Sequence, residues 1–180
     1  NPSHGLAGAD TFRRTVAPVY LRRNQDDVLM ELPDLMSVEE WESFGPSEGA
    51  AYRDAVLGGN FMAMRRAAFE STPVAASTKM ARLLELCDEA AANGHKVLVF
   101  SFFRDVLDKV VQALGSRAHG PLTGSVPAAK RQSVVDAFTD APPNAVLVAQ
   151  IQAGGVGLNV QAANIVILCE PQVKPSAEAQ

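Results

Sequence analysis

From residue 77 onward the chain alternates between two hydrophobic rhythms. Met80, Leu83, Leu84 and Cys87 recur at i, i+3, i+4 and i+7, one face of a helix. Ser77 or Thr78 is placed to cap that helix and Gly94 to close it. KVLVFSF, residues 96–102, is an unbroken apolar run that predicts a buried strand. Val106, Leu107, Val110, Val111 and Leu114 mark a second helix, stopped at Gly115. Residues 119–122 read as a short strand ending in Thr123-Gly124. Ser125 is expected to cap a third helix with Pro127 in its first turn and Val134, Val135 and Phe138 inward. A turn at 140–144 leads into two more apolar runs, one through Val146, Leu147, Val148 and Ile151, the other from Ile165 to Cys169. Both are short, rich in β-branched residues and bounded by Gly, Asn or Pro, which suits strands covered on both faces.

Helices alternating with strands predict an α/β fold with a parallel sheet and right-handed crossovers. Ligands of such sheets gather outside the carboxyl ends of the strands. Here those ends are Ser101-Phe102, Thr123-Gly124, Gln150 to Gly154 and Glu170-Pro171, polar or glycine-rich where the strand bodies are apolar. Gly154, Gly155 and Gly157 leave a backbone nearly free of side chains after the third strand. Its peptide N–H groups could approach a phosphate closely. A tight turn with no ligand accounts for the same glycines.

The first 76 residues are patterned differently. Residues 1–36 read as irregular helix, broken at Pro18, with Asn24 capping a short helix that Pro33 stops. Val38, Trp41 and Phe44 are expected to bury. Pro46 to Leu57 reads as a helix with Tyr52 and Val56 inward, ended by Gly58-Gly59. Asn60 is placed to cap a helix through Phe69, with Phe61, Met64 and Ala68 on one face and Arg65-Arg66 on the other. The expected division is a helical arm over 1–76, its last residues a linker, and an α/β domain over 77–180.

Composition and charge narrow the classes. Net charge is −4, which argues against a strongly basic nucleic-acid binder. The excess lies in residues 1–76, with 7 Lys+Arg against 11 Asp+Glu; residues 77–180 carry 9 of each. No apolar run is long enough to span a membrane, and no secretory leader opens the sequence. Asn1-Pro2 reads as the edge of a piece rather than a native terminus. Cys87 and Cys169 lie far apart in apolar surroundings and read as reduced core residues. The histidines lack ligand spacing. There is no G-x-x-x-x-G-K-[ST] loop, no G-x-G-x-x-G after the first strand, no G-x-S-x-G and no H-E-x-x-H. Asp88-Glu89 sits inside an amphipathic helix and reads as a solvated face.

Four blocks, in order, resemble one family. They are LRR followed by DDVLMELP within residues 20–33, STKMARLLEL through KVLVFSFFRDVLD at 77–107, LTGSVPAAKRQSVVDAF at 122–138, and VLVAQIQAGGVGLNVQAANIVILCEPQ at 145–172. The chain is similar over about residues 11–180 to the SWI/SNF-type helicase-like ATPases, superfamily-two DNA translocases. The resemblance implies the second RecA-like lobe, the helicase C-terminal lobe, with an α-helical linker arm at its N-terminal side. In that family the first lobe holds the phosphate loop and the magnesium motif, and an arginine-bearing motif follows the last block. The fragment is therefore expected to stop before that motif, to bind no cofactor stably by itself and to hydrolyse no ATP alone, while the full-length protein uses ATP and Mg2+.

Residue by residue, the resemblance implies DNA-backbone contacts at Lys79, Ser101, Thr123, Gly124, Gln150, Gln152 and Gly154. It implies nucleotide-side positions at Gly155, Gly157 and Asn159, and no catalytic or metal-binding residue within this chain. The implied partners are the double-stranded DNA backbone and the first lobe of the same protein, with no membrane, and the implied location is cytoplasmic, nucleoid-associated in a bacterium. Many relatives carry Lys or Arg where Gln152 stands and Lys where Gln25 stands, so two positive charges are missing here. An RNA helicase lobe and a non-catalytic α/β interaction domain remain open beside the motor reading; the LRR and ELP arm favours the DNA branch.

Overall fold

The computed structural model describes residues 35–71, 77–154 and 160–172. The irregular helix expected over 1–36, with the Asn24 cap and Pro33 stop, lies almost wholly outside the described residues, as does most of the linker. The chain forms two compact units, 1–40 and 41–180.

The core of the second unit is a four-stranded parallel sheet of β1 (Val97–Ser101), β2 (Ala118–Leu122), β3 (Val146–Gln150) and β4 (Ile165–Leu168), in the order β2-β3-β1-β4. Successive side chains point to opposite faces, and the core divides accordingly. Val97, Val99, Val146 and Val148 face Met80, Leu83, Cys87, Val106, Leu107 and Val110. Leu98, Leu147 and Ala149 face Val135 and Phe138. The helices on the first face are α3 (Thr78–Ala92) and α4 (Arg104–Leu114); α5 (Ala128–Asp140) covers the second. Both-face burial therefore holds for β1 and β3. It fails for β4, where Val166 and Leu168 are exposed, because α5 does not reach across to that edge.

Glycine ends two helices as expected: Gly94 follows α3 at φ +75°, and Gly115 follows α4 at φ +58°. Ser77 caps α3, its hydroxyl oxygen accepting Met80 N–H at 3.1 Å while its own hydrogen goes to Ala68 O at 2.7 Å. Ser77→Ala should therefore remove a cap and orphan a buried carbonyl together, lowering stability by about 2 kcal/mol. Denaturant unfolding checks this; an unchanged midpoint sinks it. Ser125 does not cap α5. That helix starts at Ala128 after Pro127 with no side-chain cap, and the Ser125 hydroxyl meets Thr123 instead. The other end of α5 is held by Lys96, whose ammonium donates to Phe138 O and Thr139 O at 3.0 and 2.6 Å, a cation on a helix C-terminus.

Before the sheet lie α1 (Pro46–Leu57) and α2 (Phe61–Arg66), the latter continuing as a 3-10 turn at Ala67–Phe69. Asn60 caps α2 through Ala63 N–H, as its placement suggested. The expected inward face of α1 is wrong: Tyr52 and Val56 are exposed, and Glu48 and Ala55 are buried. The burial of this carboxylate is compensated at one oxygen only: Oε2 accepts Gly45 N–H at 2.8 Å and lies 3.3 Å from Thr78 Oγ1, while Oε1 has no hydrogen-bond partner among the described residues. Trp41 and Phe44 are exposed as well, Trp41 at 84%. Val38, also expected to bury, is exposed. The Ser77 bond to Ala68 O, and Lys109 Nζ donating to Phe69 O at 2.6 Å, help to fasten this helical segment to the α/β body.

Candidate functional site

Parallel register aligns the strand ends on one border. Ser101 pairs with Gln150, Phe100 with Leu168, and Leu122 with Ala149. The loops that carry Phe102-Phe103, Thr123 to Val126, Ile151 to Gly154 and Cys169 to Gln172 therefore leave the same edge of the sheet.

Glu170 is the centre of that edge. It is 2% exposed, with Oε1 accepting Phe102 N–H at 2.6 Å and Oε2 accepting the Ser101 hydroxyl at 2.9 Å. Ser101 Oγ in turn accepts Phe103 N–H at 3.0 Å, directly before α4. Gln172 Nε2 donates to Glu170 O at 2.9 Å and approaches Oε1 at 3.3 Å. Burial raises the Glu170 pKa above its ordinary value; the bonds from Phe102, Ser101 and Gln172 and the Arg65 charge pull the other way. Lys79 lies nearby, its ammonium 5.5 Å from the Phe69 ring centre. Burial lowers its pKa, opposed by Cys169 and Glu170. Both cysteines are free and buried, as expected. Burial pushes Cys87 up to about 11 and Cys169 above the usual thiol range, so both are inert thiols at neutral pH.

The implied site residues divide by accessibility. Ser101 is fully buried and its hydroxyl is committed to Glu170 and Phe103. Thr123 is 6% exposed, with its hydroxyl 2.9 Å from that of Ser125. Gly124 is exposed, and its carbonyl accepts Arg131 Nη2–H at 3.1 Å; Arg131 also donates to Val126 O at 2.7 Å. Gln150 is half-buried and donates to Phe102 O at 3.2 Å, joining the loops after β1 and β3. Gln152 is exposed on α6 (Ile151–Gly154). The expected glycine turn thus begins with helix. Gly155, Gly157 and Asn159 lie outside the described residues. Among the described residues no group of three or more His, Cys, Asp or Glu could hold a metal ion, and no helix is long and apolar enough to cross a membrane.

Sequence reasoning placed Glu170 at a strand end but had no signal for its burial. From the sequence, Arg65 is expected on the face of its helix opposite Phe61, Met64 and Ala68. In the structure Arg65 Nε donates to Pro171 O at 3.0 Å and Nη2 to Gln172 Oε1 at 3.3 Å, and its guanidinium lies 5.3 Å from the ring centres of Phe102 and of Phe103. Asp88 and Glu89 are exposed as expected, paired with Arg117 and Arg82.

Residues 78–180 match the family described as helicase conserved C-terminal domain. Among curated proteins, the chain is 36% identical over 105 residues to Switch 2 of Arabidopsis thaliana, covering 57% of this chain and 12% of that protein. It is 35% identical over 106 residues to the chromatin-remodeling ATPase INO80 of Cryptococcus neoformans, covering 58% and 6%. The chain thus spans a small part of the length of these relatives. Among solved structures, the Sulfolobus solfataricus SWI2/SNF2 ATPase core in complex with dsDNA superposes with a TM-score of 0.63 at 20% identity, over 89% of this chain and 40% of that one. The likeness to that core includes the parallel sheet with helices on both faces.

Proposed function

The chain belongs to the helicase conserved C-terminal domain family, as the RecA-like C-terminal lobe of a SWI/SNF-type helicase-like ATPase, and from that premise we propose that it is the second motor lobe of an ATP-dependent double-stranded DNA translocase. One observation carries the reading: the loops after all four strands leave a common border. Around the loops after β2 and β3 that border offers exposed backbone and short polar side chains, at Gly124, Ser125 and Gln152. Such groups suit sequence-blind contact with a sugar–phosphate chain. The solved neighbour with duplex DNA supports the choice of partner.

In this reading Gly124, Gln152 and Gly154 meet the DNA backbone directly. Ser101, Thr123 and Gln150 shape the loops that do so, since their side chains are turned to protein partners. Lys79 adds positive charge behind them. Gly155, Gly157 and Asn159 face ATP at the boundary with the first lobe, and residues 1–76 form the arm between the lobes. ATP, when bound with Mg2+ in the full-length protein, supplies the free energy that closes and reopens the lobes. The 180-residue chain hydrolyses no ATP alone, because it contains no G-x-x-x-x-G-K-[ST] loop to hold the phosphates.

The test is ATP turnover by the full-length protein with and without duplex DNA, in the wild type and in Gly154→Asp. A carboxylate at that point would repel phosphate. We expect the DNA-stimulated rate to fall at least about tenfold, the equivalent of ~1.4 kcal/mol. Equal stimulated rates would remove residue 154 from the interface. Stimulation by duplex RNA in place of DNA would move the protein to the RNA helicases, and no nucleic-acid stimulation would favour an interaction domain.

A further inference from the structure

Arg65 stands on α2, in the segment before the α/β body, yet its guanidinium ends among the strand-end loops. It donates to the Pro171 carbonyl and to the Gln172 side chain, both just beyond β4. It also lies 5.3 Å from the ring centres of Phe102 and Phe103, the first two residues beyond β1. Those rings pack edge to face at 78°. One planar cation therefore touches three elements at once: the helical segment, the loop after β1 and the exit from β4. Glu170 joins the two loops from beneath, through Phe102 N–H and the Ser101 hydroxyl. Arg66, next in sequence, makes no contact with the exit from β4 among the described residues: it pairs with Glu70 at 3.1 Å and Asp105 at 3.6 Å, and its guanidinium lies 5.8 Å from the Phe103 ring centre.

We propose that Arg65 is a positioning residue: it fixes the loop after β1 and the segment after β4 in one arrangement relative to α2, so that the strand-end border is preorganised for the DNA backbone. This rests on the motor-lobe reading above. The physical reason is the shape of the group. A guanidinium presents several donors in a plane and stacks on aromatic faces, whereas an ammonium is a hydrated point charge on a flexible stem. Lysine would keep the charge but lose the planar bridge between carbonyl, amide and rings. A loop no longer held would order only on binding, at a cost in affinity.

The experiment measures ATP turnover of the full-length protein against duplex DNA concentration, for wild type, Arg65→Ala, Arg65→Lys and Arg66→Ala. Thermal midpoints are recorded for all four. For Arg65→Ala we expect the DNA concentration giving half-maximal stimulation to rise about tenfold, with turnover in the absence of DNA within about twofold of wild type. Arg65→Lys should recover less than half of the loss on a logarithmic scale, and Arg66→Ala, which removes a Phe103 contact but no bond to the exit from β4, should raise half-saturation less than Arg65→Ala does. A wild type that DNA does not stimulate overturns the motor-lobe reading and this inference with it. A stimulated wild type whose Arg65→Ala and Arg65→Lys variants keep the same half-saturation overturns this inference alone. Full recovery by Arg65→Lys also overturns it, since charge rather than planar bridging would then be sufficient. Should Arg65→Ala fail to fold, the lysine variant decides: wild-type half-saturation sinks the proposal, and a several-fold rise supports it.

Discussion

Gly120→Ala is expected to destabilise the domain by about 3 kcal/mol or more, the sum of a strained backbone and an overpacked contact. Gly120 sits in β2 at φ +115°, a conformation that residues with a Cβ rarely adopt. A Cβ there would overlap the Val148 carbonyl oxygen and stand 3.0 Å from Leu122 N. Neither neighbour can yield cheaply, because Val148 is fully buried in β3 and both atoms are backbone. With total stabilities of roughly 5–15 kcal/mol for a domain, such a change is a large fraction of the whole. It should appear as a fall of roughly 10 °C in thermal midpoint. Gly124, four residues on, is the control: nothing lies within 4 Å of its added Cβ and its φ is not in the left-handed region, so Gly124→Ala should hold the wild-type midpoint to within about 2 °C. Equal midpoints for the two variants would show that β2 shifts freely to accept the methyl group.

Removing the Glu170 side chain should cost about as much, for a different reason. Glu170→Ala leaves the Phe102 N–H and the Ser101 hydroxyl without their acceptor at a buried site, each at roughly 1–3 kcal/mol. It also takes a compensating charge from the neighbourhood of Lys79. We expect a loss of about 3 kcal/mol, with Glu170→Gln losing less because its amide oxygen still accepts one bond. The pH dependence separates carboxylate from amide. Burial raises the Glu170 pKa in the folded state above its ordinary 4.5, so between 4.5 and that raised value the folded chain holds more protons than the unfolded one. The contribution of this group is then fully present below pH 4.5 and is lost as pH rises through the folded pKa. Lys79 has the opposite sign, its stability contribution rising with pH between its lowered folded pKa and 10.5. Denaturant unfolding of wild type and Glu170→Gln from pH 4 upward should show wild type losing stability relative to the variant. Parallel curves would show that Glu170 titrates as an ordinary surface carboxyl.

Legibility differed sharply between elements. The apolar runs of β1 and β3 and the i, i+3, i+4, i+7 stripe of α3 were readable because each buries a continuous face, and burial leaves its own period in sequence. The stops at Gly94 and Gly115 were readable because a left-handed turn selects for a missing Cβ. The inner face of α1 was not. Its buried positions are a glutamate, held through one carboxylate oxygen by the Gly45 N–H, together with an alanine, while its aromatic and valine face outward. Ser125 carried a cap signal, but α5 starts later and the hydroxyl found Thr123. β4 looked buried on both sides and lies at an edge that α5 does not reach.

At the strand ends the same division holds. Residue types alone placed Ser101, Thr123, Gly124, Gln150, Gln152, Gly154 and Glu170 at the ends of strands, since a strand's apolar body and polar exit are local features. Whether such a residue faces solvent or a neighbour depends on which strands lie side by side, and the order β2-β3-β1-β4 sets residues 69 positions apart against each other, Ser101 against Glu170. Arg65 meets Gln172 across 107 positions. Local composition determined the elements and their polar ends, because periodicity and turn chemistry act over a few residues. Only the packed sheet decided which of those polar groups are free and which hold the loops in place, because hydrogen-bond partners distant in the chain are chosen by tertiary geometry.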